Sequence, residues 1–101
     1  MDVADRLQIL ATAAGCSMRD LDEIAGRTQG HAQAIIRRTI AAPTAAVLDS
    51  YADALLVSRV WLARGEGQQP DLDDVRVTAF RACAVKLAES KARDASKAGA
   101  A

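Results

Sequence analysis

The chain has 101 residues, with 13 Lys+Arg against 13 Asp+Glu, 50% hydrophobic side chains and only 3% aromatic ones. That supplies one small core, excludes two packed domains and, at this surface-to-volume ratio, makes packing on a second copy an expectation. No apolar run nears the roughly 18 residues of a membrane span, and Met1-Asp2-Val3-Ala4-Asp5 lacks the basic flank and apolar centre of a secretion signal, so a cytoplasmic protein without membrane contact is expected.

Apolar residues recur at spacings of three and four rather than two, which predicts helices throughout and no strands. A first helix spans about Val3 to Ala14, with Leu7, Leu10, Ala11 and Ala14 inward and Gly15 as its stop. Ser17 caps a second, supported by Asp20, with Leu21, Ile24 and Ala25 on the inner face and Gly26 closing it. Thr28 is the expected cap of a third, from Gln29 to about Arg38, whose inward positions are Ala32, Ile35 and Ile36. Pro43 and Thr44 open a fourth, striped by Val47, Leu48, Tyr51, Ala52, Leu55 and Leu56. Ser58 caps a fifth carrying Val60, Trp61 and Leu62, before Gly65-Glu66-Gly67-Gln68-Gln69-Pro70 breaks the pattern.

The chain up to Arg64 is expected to form one compact unit. Beyond Pro70, Asp71, Asp73 and Asp74 suit a helix N-terminus, and Val77, Phe80, Ala84 and Leu87 follow at three, four and three. From about Ser90 the sequence turns to alanine, lysine and small residues, and the last turns are expected to fray.

Charge is unevenly spread. Between Glu23 and Asp49 there are three arginines, Arg27, Arg37 and Arg38, and no acid. On the third helix Gln29, His31, Gln33 and Arg37 point away from the Ala32/Ile35 face. Amides and cations without competing carboxylates suit a polyanion with readable base edges, although a basic outer face is also what any solvated helix presents.

The run Ser17-Met18-Arg19-Asp20-Leu21-Asp22-Glu23-Ile24-Ala25-Gly26-Arg27-Thr28-Gln29 resembles the helix-turn-helix of phage-repressor-type (Cro/cI, xenobiotic-response-element) regulators. The segment from Leu48 to Ser58, followed by Arg59-Val60-Trp61-Leu62-Ala63-Arg64-Gly65-Glu66-Gly67, is similar to the last two helices of that five-helix domain. The resemblance covers about residues 5 to 67. It implies an all-α, five-helix repressor-like domain over residues 1–67 with a linker and helical extension over 68–101, binding double-stranded DNA as a two-fold dimer with the second motif helix in the major groove.

Carried over by position, Gln29, Gly30, Gln33 and Ala34 are the implied base contacts, and Thr28, His31, Arg37 and Arg38 the implied backbone contacts. The tail stripe Val77, Phe80, Ala84 and Leu87 is the expected dimer contact, to be covered either by its own domain or by another chain. Four positions depart from the family pattern: Met18 where Gln is common, Asp22 where a small residue is usual, Arg27 where an apolar one is preferred, and the small Ala32. A buried, unpaired carboxylate is costly, so Asp22 is expected to reach solvent or meet Arg27 or Arg38.

One histidine, no nucleophile paired with a base, no phosphate loop and no clustered ligands leave no enzyme, cofactor or metal to expect. Cys16 and Cys83, far apart in sequence with no second ligand beside either, read as two buried thiols rather than a zinc site or disulfide. The function that the resemblance implies is a sequence-specific, DNA-binding transcriptional regulator acting as a dimer. The alternative is a repressor-like fold used for protein contacts, as an antitoxin or a regulator of another factor with a protein partner.

Overall fold

A computed structural model describes residues 1–40 and 42–99, with side chains through residue 92. The secondary structure of the described residues is helical: α1 (Val3–Ala14), α2 (Met18–Ala25), α3 (His31–Ile36), α4 (Ala45–Ala54), α5 (Arg59–Arg64) and α6 (Leu72–Gly99). No helix is long and apolar enough to cross a membrane among the described residues.

Side chains that accept orphan amides start most of these helices. Asp2 accepts from the Asp5 N–H at 3.0 Å while Asp5 accepts from the Asp2 N–H at 3.1 Å, a reciprocal cap at the head of α1. Ser17, Thr44 and Ser58 cap α2, α4 and α5 as their positions predict. At α6 the carboxylate of Asp71 accepts from the amides of Asp73 and Asp74.

The inward faces meet in one core. Leu7 and Leu10 of α1, Leu21 of α2, Ala32 and Ile35 of α3, Leu48, Tyr51 and Ala52 of α4, and Trp61 and Leu62 of α5 are buried together. Leu55, just past α4, joins them, whereas Leu56 turns outward with φ 55° and Val60 stays exposed. Trp61 thus seals the domain's own interior.

One expectation about the tail is corrected. The core does not close at Arg64, because Val75 and Ala79 of α6 belong to it and α6 packs on α1 and α2. The face that α6 turns inward carries Val75 and Ala79 with half-buried Ala82 and Cys83, while Val77, Phe80, Ala84 and Leu87 point to solvent. The reason is steric: small side chains allow the close approach of two helix backbones, and an aromatic ring at the seam does not. The backbone of α6 is helical to Gly99. Alanine and lysine have high helix propensity, so α6 continues after its last large apolar residue.

One buried cation was not foreseen. Arg6 of α1 is buried, and its guanidinium donates to the carbonyls of Leu62 at 2.8 Å, Ala63 at 3.1 Å and Met1 at 2.6 Å. It thereby satisfies carbonyls at the C-terminal end of α5, where the helix dipole favours positive charge. The chain leaves α5 through Gly65 at φ 73°, and a Cβ there would lie 2.9 Å from Arg6 Nη1.

Candidate nucleic-acid interface

Helices α2 and α3 are joined by residues 26–30. Gly26 ends α2 at φ 70°, and its N–H and that of Arg27 return to carbonyls of the last turn, so the chain reverses sharply. Gly30 at φ 94° then aims the backbone into α3, a conformation that favours glycine. This second bend moves the start of α3 to His31, and the left-handed Arg38 ends it after Ile36, so α3 is shorter than the span from Gln29 to Arg38 expected from sequence.

The cap of α3 is the main correction. Thr28 is exposed and does not cap the helix; Gly30 occupies the cap position and has no side chain to offer. Asp22 reaches across from α2 instead. Its carboxylate accepts from the Gly30 N–H at 2.9 Å, the Ala32 N–H at 3.0 Å and the Tyr51 hydroxyl at 2.6 Å. At 1% exposure Asp22 neither reaches solvent nor needs an arginine, because three donors take the place of water. The carboxylate that looked like a flaw in the α2–α3 contact is what joins α2, α3 and α4. Burial, then the bond to Asp22, raises the Tyr51 hydroxyl far above the usual phenol range.

With α3 held at its N-terminus, Gly30, Gln33, Ala34 and Arg37 fall at i, i+3, i+4 and i+7 and share its outer side, opposite buried Ala32 and Ile35. Gln33 and Arg37 are exposed, Ala34 is half-buried, and the space where a Gly30 Cβ would stand is open. His31 is half-buried at the first helical position. Gln29 is exposed but lies in the turn before α3 rather than on it. The structure thus gathers three of the four implied base-facing positions with Arg37 and sets Gln29 at their edge.

Arg38 goes elsewhere. It leaves the helix at φ 62° and donates to Asp2 at 3.1 and 3.2 Å and to Asp5 at 3.1 Å, tying the end of α3 to the head of α1. The Asp5 amide and the Arg38 guanidinium hold the Asp2 carboxyl below the usual carboxylate range. Both carboxylates and Arg38 are about half exposed, so the pair is a surface one and weak. Arg27 is half-buried, and its Nε has no hydrogen-bond partner.

Among the described residues, the surface around α3 therefore has exposed amides and, in Arg37, an arginine without a salt bridge, with Arg38 in a weak pair. No carboxylate occurs from Ile24 to Leu48 apart from those that Arg38 recruits from α1. Such a face can donate to and accept from base edges and neutralise phosphate. No family model, no curated protein and no solved structure matches this chain.

Proposed function

We propose that the protein is a sequence-specific DNA-binding regulator with a helix-turn-helix of the phage-repressor type, formed by α2 and α3, and that α3 enters the major groove from a dimer. The observation that carries this is the acid-free outer side of α3, where Gly30, Gln33, Ala34 and Arg37 align while Asp22 fixes the helix from behind. Gln33 is placed as the reader, since an amide gives bidentate contacts to adenine. Arg37, next to the helix end, is placed on phosphate. Arg38 can exchange its exposed carboxylates for a phosphate at small cost, because the pair it leaves is weak.

Fluorescence anisotropy of the full chain on DNA selected from a random duplex pool tests the assignment. Arg37→Ala should weaken binding to all duplexes alike and flatten the log-affinity against log-salt slope by roughly one unit. Gln33→Ala should cost roughly 1–3 kcal/mol on the selected site and much less on unrelated DNA. Failure to bind any duplex at low salt would remove the DNA function altogether.

A second reading is favoured by the shortness of α3 and by the commitment of Arg38 to α1. Under it the same fold serves protein contacts, as an antitoxin or a regulator of another factor. A pool selection that enriches no sequence would support it.

A further inference from the structure

The outward face of α6 carries a pattern that specifies its own partner. At heptad spacing the exposed residues are Asp73, Val77, Phe80, Ala84, Leu87 and Lys91. The apolar ones are unusually open: Phe80 is 75% exposed, Leu87 57% and Val77 48%. They lie off the buried Val75/Ala79 face, Phe80 at the edge of the groove between α6 and α1 and Leu87 at the edge of the groove between α6 and α2, and they remain open to solvent. The stripe is about 27 Å long from Asp73 to Lys91, with an acid at one end and a base at the other.

We propose that this stripe pairs with the same stripe of a second copy, antiparallel, in one register. Val77 lies against Leu87 of the second copy, Phe80 against its Ala84, and Asp73 against its Lys91. Two-fold symmetry repeats each contact, as an isologous interface requires. Size and charge both select this arrangement. The large Phe80 ring meets the small Ala84, and the medium Val77 meets Leu87, so every layer has similar volume. In a parallel pair, two Phe80 rings would share one layer and two Ala84 methyls another. A parallel pair would also set Asp73 on Asp73 and Lys91 on Lys91, whereas the antiparallel pair makes an opposite-charge contact at each end. Arg81 flanks the stripe at its middle, at the rim, where salt screens its symmetry mate. This pairing does not depend on DNA binding and can stand or fall without it.

The test is a charge exchange on the full chain, read as the dimer dissociation constant by sedimentation equilibrium. Both positions are exposed, so circular dichroism should be unchanged. Asp73→Lys and Lys91→Asp should each weaken the dimer about tenfold, because each creates two like-charge contacts. The double variant D73K/K91D should restore it. Glu89→Lys, the same charge change on the opposite side of α6, should leave the dimer unaltered. In a parallel pair the single exchanges would replace one repulsion by another and change nothing. Unchanged single variants, a double variant that stays weak, or a wild-type chain that remains monomeric at high concentration would each overturn the proposal.

Discussion

Asp22 shows how one side chain can be a defect in one frame and a keystone in another. Set against a small residue at a close helix crossing, a carboxylate is oversized and charged. Against the amides that the Gly30 bend exposes, it is the missing acceptor. Asp22→Ala should therefore do more damage than an ordinary cap loss, leaving two amides and the Tyr51 hydroxyl without an acceptor in a buried place. A loss of about 2–4 kcal/mol is expected in urea unfolding followed by circular dichroism. A loss near zero would mean that water replaces the carboxylate.

Two other residues set an alkaline limit on the fold. Burial, then neighbouring Cys83, pushes the Cys16 thiol up to about 11, and burial raises Cys83 as well. Raised groups keep their proton in the folded state, so the stability they contribute is intact below their unfolded values and is lost as pH climbs through the folded ones. For Cys16 that window runs from about 9 to about 11; Tyr51 extends it upward. Alkylation by iodoacetamide, limited by thiolate, should be slow at neutral pH for Cys16 and still rising above pH 9. A rate that levels off near pH 9 would show that the site is open to water.

At the scale of elements, caps and stops were legible because each depends on a residue type at a fixed offset. Ser17, Thr44 and Ser58 accept the amides their positions predict, and Gly15, Gly26 and Gly65 all stand at left-handed helix ends. What could not be read was any contact decided by a distant segment. Thr28 was a plausible local cap, but the winner lay on the preceding helix, and only the Gly30 bend makes it reachable. Arg6 looks like an exposed charge on α1 until α5 ends beside it. The part of α6 that enters the core, Val75 and Ala79, was not legible because the closeness of backbones, not hydrophobic size, decides that seam. Its role can be measured. Ending the chain after Gln69 removes Val75 and Ala79 from the core and uncovers the side of α1 on which α6 packs, so the shortened chain should unfold at markedly lower urea than the full one. An equal midpoint would show that α1 to α5 suffice.

At the scale of the whole molecule, the proposed DNA contact of α3 and the proposed pairing of α6 should be coupled. α3 offers a short reading surface, and one copy of it spans only a few base pairs, which limits both affinity and discrimination. Joining two copies turns the second docking event into an intramolecular one. If the α6 stripes hold the copies together, a DNA site with two inverted half-sites about 34 Å apart engages both α3 helices, while a single half-site engages one. Weakening the dimer must then act unequally on the two DNAs. Asp73→Lys should lower affinity for the inverted site at protein concentrations near the dimer constant and leave half-site affinity nearly as before, apart from the small uniform gain an added lysine brings. D73K/K91D should recover the inverted site. Gln33→Ala, by contrast, should lose on both, and about twice as much in free energy on the inverted site, since it removes two contacts there and one on the half-site. Anisotropy titrations with the two duplexes at one salt concentration separate these patterns. Equal losses for Asp73→Lys on both duplexes would mean that α6 touches DNA or supports α3 directly, and that the copies meet on another face.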